Sequence, residues 1–274
     1  MENIGSKQFA DFDLGGGVFI VTGGAQGLGL AMAEGLVEAG GKVYCLDRQT
    51  EPEEEYLEAE KRVRPEFGGE IHYQQVDVRN NDHLNSVIAG IAERHQRLDG
   101  VVAAAAIQQI RAATDYTPED VREVLDINYT GAFMTATAAA RQMFRYKCRG
   151  SVCLIASMSG HIANKGLITP VYNSSKAAVI QLARNLAMEW SKVNEKGEGG
   201  IRVNSLSPGN ILTPMVLKNF EEKPELRTTW ESENMLGRLS TPEEYKGATL
   251  FLLSKASSFM TGANMVIDGG YTAW

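Results

Sequence analysis

Apolar residues in this chain fall into short unbroken runs, and the runs are separated by longer segments whose apolar positions recur with helical spacing. Val18–Thr22 (VFIVT), Lys42–Asp47, Ile71–Val76, Gly100–Ala105, Ser151–Ala156, Ile201–Leu206 and Met265–Ile267 have the length and β-branched content of strands. Helices are predicted between them over Gly27–Ala39, Glu51–Arg64, Pro118–Asp126, Gly131–Tyr146, Tyr172–Trp190 and Pro242–Leu253. Strands that are apolar without alternating are buried on both faces, as in a parallel sheet covered by helices.

Regular β–α alternation with right-handed crossovers therefore predicts an α/β fold, a single-domain, Rossmann-type doubly wound parallel sheet with helices on both faces. No internal repeat and no linker divides residues 1–274, and Asn194–Gly200 (NEKGEGG) reads as a polar loop. Residues 1–13 read as a flexible tail.

Composition narrows the class without naming a function. With 43% hydrophobic and 22% charged residues the chain is an ordinary globular one. Its net charge of −7 and the lack of a Lys/Arg stripe argue against a nucleic-acid partner. Cys45, Cys148 and Cys153 have neither zinc-site nor disulfide spacing, so no metal is expected. The polar, acidic start is neither a secretory signal nor a transit peptide, and no apolar run reaches the roughly 20 residues of a membrane span. A cytoplasmic protein without a membrane partner is expected.

Chemistry first shows at the junction of the first strand and helix. Thr22-Gly23-Gly24-Ala25-Gln26-Gly27-Leu28-Gly29 spaces its glycines G-x-x-x-G-x-G. Glycine permits the tight turn and close backbone approach, and the helix N-terminus turns free N–H groups toward a pyrophosphate. The strand–turn–helix context is the one a dinucleotide loop requires. Asp47, about 20 residues on at the end of the second strand, is placed to accept hydrogen bonds from a ribose and to repel a 2′-phosphate. NAD(H) is thereby favoured, while the guanidinium of Arg48 leaves NADP(H) open. Asp77 and Val78, after the third strand, are placed at the adenine edge.

Tyr172-Asn173-Ser174-Ser175-Lys176 sets a phenol and an ammonium four residues apart on one helix face. A neighbouring cation favours phenolate, so Tyr172 is a candidate acid or base, helped by the positive ring of an oxidised nicotinamide. Ser157, after the fifth strand, is placed to hold the same substrate oxygen, and Asn128 sits at a helix break.

With these motifs in place, the chain from about Leu14 onward resembles the short-chain dehydrogenases/reductases. The resemblance rests on Thr22–Gly29, Asn128, Ser157, Tyr172 with Lys176, and Ser207-Pro208-Gly209 with Thr213. It implies a Tyr general acid/base, a Lys that binds the nicotinamide ribose, a Ser that orients the substrate oxygen and an Asn that holds a relay water. It also implies that Ile211 and Thr213 hold the nicotinamide carboxamide. Two departures stand out. Ala103-Ala104-Ala105-Ala106 replaces the family's Asn-Asn-Ala-Gly, which puts local stability and the cofactor fit beside Ala105 in doubt. The Ser-to-Tyr gap is longer than usual, so Ser159 competes with Ser157, which is preferred because Gly160 follows it at the customary offset.

The segment Ser157–Gly166 and the ending Asp268–Trp274 further resemble fungal polyol dehydrogenases and ketose reductases, of the arabinitol, mannitol, xylulose and sorbose type. His161, Asn164 and Gln108 are candidate polyol contacts. Ser159, Asn210 and Met215 are further candidate substrate residues, and about 211–240 reads as a substrate lid, expected to be flexible because bulky apolar residues there lie among many charges. The expected reaction is hydride transfer between NAD(H) and a secondary alcohol or ketone, specifically a polyol/ketose pair. A tailoring ketoreductase of secondary metabolism and a non-catalytic dinucleotide binder are the alternatives. The resemblance also implies a homotetramer or homodimer built through Gly131–Tyr146 and Tyr172–Trp190, with Tyr271–Trp274 reaching a neighbour.

Overall fold

The computed structural model describes residues 10–274; most of the tail expected over 1–13, residues 1–9, lies outside the described residues. Ala10–Phe12 form a 3₁₀ turn, and the Leu14 N–H is held by the Ala39 carbonyl at 2.9 Å.

Seven parallel strands form one sheet: β1 (Val18–Thr22), β2 (Lys42–Asp47), β3 (Glu70–Gln75), β4 (Gly100–Ala103), β5 (Ser151–Ile155), β6 (Arg202–Pro208) and β7 (Asn264–Ile267). Their order across the sheet is β3-β2-β1-β4-β5-β6-β7. Connections run outward in both directions from the β1/β4 pair, so a crevice opens there at the strands' C-terminal ends. Nine α-helices cover the described sheet: α1 (Gly27–Glu38), α2 (Glu54–Arg62), α3 (Asn81–His95), α4 (Pro118–Leu125), α5 (Ala132–Arg145), α6 (Pro170–Trp190), α7 (Pro214–Glu222), α8 (Glu225–Ser232) and α9 (Lys246–Leu253).

Period-2 alternation within the apolar strands divides the core between the two faces. Val18, Ile20, Val101, Val152 and Leu154 pack with α3, α5 and α6. Phe19, Val21, Val102, Cys153 and Ile155 pack on the other face with α1 and α9. Cys45 and Cys153 lie in this second layer as small buried apolar groups, and burial holds both thiols well above their ordinary pKa, Cys153 at about 12.

Three observations differ from the sequence reading. Helix α3 joins the predicted elements; Asn80 caps it by accepting from His83 N–H, and Leu84, Val87, Ile88 and Ile91 form its buried face. The predicted break at Asn128 is a π-helical turn, Asp126–Gly131, that runs from α4 straight into α5. The lid is helical: α7 and α8 enclose a cluster of Leu167, Leu226, Trp230 and Leu239, with Trp230 only 2% exposed. Near the C-terminus, the Tyr271 phenol and the Trp274 indole N–H donate to the side chain and backbone of Glu233 at 3.1 and 2.8 Å. Among the described residues no helix is long and apolar enough to cross a membrane.

Candidate active site

A cleft of about 430 Å³ follows the C-terminal ends of β1, β2, β4, β5 and β6. One end is built from the turn between β1 and α1. Gly23, at φ +68°, packs so closely on the backbone of Ala105 that any Cβ there would lie 2.8 Å from it. At Gly29 a Cβ would collide with the Gly23 carbonyl at 2.0 Å, so only glycine lets α1 begin where it does. Gln26 gives α1 no side-chain cap, and the Gly27 N–H donates instead to the Glu55 carboxylate at 2.9 Å. The remaining first-turn amides of Leu28 and Gly29 open the helix beside the cleft, an arrangement suited to phosphate oxygens.

Asp47 stands at this end with both oxygens fixed. It accepts from Ala25 N–H at 3.2 Å and from Arg48 N–H at 2.8 Å. Arg48, Asp77, Val78 and Arg79 complete the wall. Arg79 grips Asp77 through Nε and Nη2, with contacts from 2.6 to 3.1 Å, and this charged pairing holds the Asp77 carboxyl below its usual range. Arg79 escaped the sequence reading, although its place two residues after Asp77 was a visible signal.

The opposite end carries the reactive groups. Pro170 occupies the first turn of α6, its fixed φ starting the helix just ahead of Tyr172. Tyr172 and Lys176 then face the cleft one turn apart, and Ser157 enters from the loop after β5. Ser157 lowers the Tyr172 phenol's pKa, and its hydroxyl accepts from Ser159 N–H at 3.1 Å. Lys176 is 2% exposed and donates to the Ile155 carbonyl at 2.8 Å. Burial pushes its pKa down to about 8. Burial also raises the Tyr172 phenol, outweighing the lowering by Ser157. Lys176 Nζ lies 5.6 Å from the phenol's ring centroid and is itself desolvated.

Asn128 lies behind the cleft. Its side chain accepts from Ile107 N–H at 2.9 Å and donates to the Ile107 carbonyl at 3.0 Å and to Ser175 Oγ at 3.1 Å. It thereby pins the chain just past the alanine run, whose Ala104, Ala105 and Ala106 line the cleft. Pro208, Gly209, Ile211, Thr213 and Met215 form the last wall, with Gln108 facing them.

Ser159, His161, Asn164 and Asn210 are not part of the cleft lining. Ser159 is buried under Ser157. His161 Nε2 meets Asn264 Nδ2 at 2.8 Å. Asn164 accepts from Asn173 Nδ2 at 2.9 Å, which ties its loop to α6, and Asn210 uses its backbone carbonyl to accept from Ser240.

A glycine-lined phosphate turn, a fixed carboxylate at its ribose end and a Ser/Tyr/Lys group at the far end define an NAD(P)-dependent oxidoreductase of the dinucleotide-binding α/β class. The family model described as enoyl-(acyl carrier protein) reductase matches residues 23–272. A short chain dehydrogenases/reductase of Aspergillus versicolor, notP′, is 39% identical over 264 residues, covering 96% of this chain and 89% of that protein. D-Arabinitol 2-dehydrogenase [ribulose-forming] of Candida albicans is 34% identical over 273 residues, covering 96% and 95%. The crystal structure of an NADPH-dependent 3-quinuclidinone reductase from Rhodotorula rubra superposes with a TM-score of 0.86 at 32% identity, covering 100% of this chain and 98% of that one. The chain belongs to the short-chain dehydrogenase/reductase family.

Proposed function

We propose that the protein interconverts a polyol and its ketose, with NAD(H) as the preferred hydride carrier. The observation that carries this reading is the convergence of Ser157, Tyr172 and Lys176 at one end of a cleft whose other end is a phosphate turn. The likeness to an arabinitol dehydrogenase supports the substrate class.

Gly23, Gln26, Gly27, Leu28 and Gly29 would hold the pyrophosphate, Asp47 the adenosine ribose, and Asp77, Val78 and Ala105 the adenine side. Lys176 would hold the nicotinamide ribose, with Pro208, Gly209, Ile211 and Thr213 on the nicotinamide itself. When bound, the cofactor supplies or accepts the hydride and, oxidised, adds a positive ring that lowers the phenol's pKa. In the reducing direction Ser157 holds the substrate carbonyl oxygen and Tyr172 Oη delivers its proton there. Asn128 keeps the Ile107 backbone and Ser175 in register behind Lys176.

The preference for NAD(H) rests on charge. Asp47 cannot turn away from an incoming 2′-phosphate while it is held by two backbone N–H groups, and Asp77 neutralises Arg79. Arg48 is the remaining cation on that wall. We also propose a homodimer or homotetramer built through α5 and α6; Met188, on α6, is 78% exposed.

The test is turnover of a panel of ketoses and bulky ketones with NADH and with NADPH, by wild type and Tyr172→Phe. Ketose reduction with NADH, lost by at least about a hundredfold in Tyr172→Phe, is the expected result, the scale of a positioned general acid. Activity confined to bulky ketones would move the substrate to secondary metabolism. Cofactor binding with no turnover would overturn the enzymatic reading.

A further inference from the structure

The chain leaving β4 is held from two directions. Asn128 grips both backbone groups of Ile107 from behind. One residue further, Gln108 reaches the lid: Asn219 Nδ2 donates to Gln108 Oε1 at 3.0 Å, between residues 111 positions apart in sequence. Asn219 lies on α7, the helix that brings Pro214, Met215 and Val216 to the cleft, and is 7% exposed. Among the described residues this is the one side-chain hydrogen bond between α7 and the loop following β4.

An amide buried on a lid helix is stable there only if it finds a partner. The same bond decides which way the Gln108 amide faces. With Oε1 taken, Nε2 is left with two N–H donors and no partner among the described residues. Gln108 itself lines the cleft.

We propose that Gln108 and Asn219 form an amide clasp that closes α7 over the substrate end of the cleft and presents Gln108 Nε2 as a donor to a substrate hydroxyl. The recognition half rests on the polyol/ketose reading; the clasp does not. Gln108 is the specificity-determining residue, and Asn219 is a positioning residue that acts through it. A hydroxyl oxygen near the reacting carbon accepts from Nε2, whereas a plain ketone offers nothing at that point.

The experiment compares wild type with Asn219→Ala, Gln108→Ala, the double variant, and the exchanged pair Gln108→Asn with Asn219→Gln. Backbone hydrogen exchange over residues 214–222 and NADH affinity are measured first. The KM and kcat for a ketose and for a hydroxyl-free ketone of equal length follow. Asn219→Ala is expected to speed lid exchange about tenfold, the scale of one lost buried hydrogen bond. Its KM for the ketose is expected to rise about as much, with the plain ketone, kcat and NADH affinity unchanged. Gln108→Ala should speed lid exchange and raise the ketose KM by a similar factor, the double variant should add little to either, and the exchanged pair should recover most of the loss. Unchanged lid exchange in Asn219→Ala would overturn the clasp. An equal rise of KM for both ketones would overturn hydroxyl recognition. If wild type reduces no ketose, the substrate reading and hydroxyl recognition fall together, and lid exchange still decides the clasp.

Discussion

Lys176 carries a charge into a place where only one carbonyl answers it. With Ile155 O as its hydrogen-bond acceptor, its ammonium is disfavoured and its pKa falls from 10.5 to about 8. A displacement of that size corresponds to about 3 kcal/mol between the two protonation states. The folded protein prefers the neutral amine, so between pH 8 and 10.5 the unfolded chain binds more protons, and this group's contribution to stability rises with pH. Below pH 8 it is a standing cost. Lys176→Met should therefore lose turnover while gaining stability relative to wild type at pH 7, and this gain should shrink by about 3 kcal/mol as pH approaches 10.5. Urea unfolding of both proteins without cofactor, at a series of pH values, measures the difference and cancels the opposing titration of the buried thiols. A gap independent of pH would show that Lys176 enters the fold already paired. The Tyr172/Lys176 spacing was legible in sequence, but the burial that shifts both pKa values was not, because it depends on what the fold packs around α6, as with Ile155 at the end of β5, about 20 residues upstream of Lys176.

At the scale of elements, the lid shows how charge can mask a helix. Residues 211–240 read as a flexible lid because bulky apolar residues there lie among many charges. Yet Val216 and Phe220, and then Leu226 and Trp230, are four residues apart, and the charges simply face water. Phe220 and Trp230 rings meet at 5.4 Å, joining α7 to α8. Trp230→Ala should cost about 3–5 kcal/mol locally, as for other buried aromatics. Hydrogen exchange should then rise through both lid helices and leave β1 and α1 unaffected. Uniform loss of protection throughout the protein would instead make the lid part of the main folding unit. The strands were easier to read, since seven apolar runs bounded by turns need no knowledge of their partners. Asn219 was the hardest, because its meaning lies wholly in a contact 111 positions away.

For the whole molecule, β–α alternation alone predicted the doubly wound sheet, and the structure adds the order of its strands. Subunit contacts leave a fainter trace, since in one chain Met188 on α6 is simply an exposed apolar residue. Light scattering after size exclusion should give a mass of two or four chains at micromolar concentration, and a monomer mass would refute the assembly through α5 and α6.

The cleft wall formed by Pro208 and Gly209 depends on β7, the last of the seven described strands in chain order. Ile267 pairs with Pro208, and its carbonyl accepts from Gly209 N–H at 2.8 Å. The turn between β1 and α1, by contrast, lies within the first 30 residues. During synthesis the phosphate turn thus emerges long before the strand that shapes the opposite wall. A dinucleotide stabilises only a chain that binds it. A growing chain therefore gains the full benefit only once β7 has left the ribosome, and a ribosome stalled before residue 264 would hold a chain that an added nicotinamide dinucleotide cannot protect to the same extent.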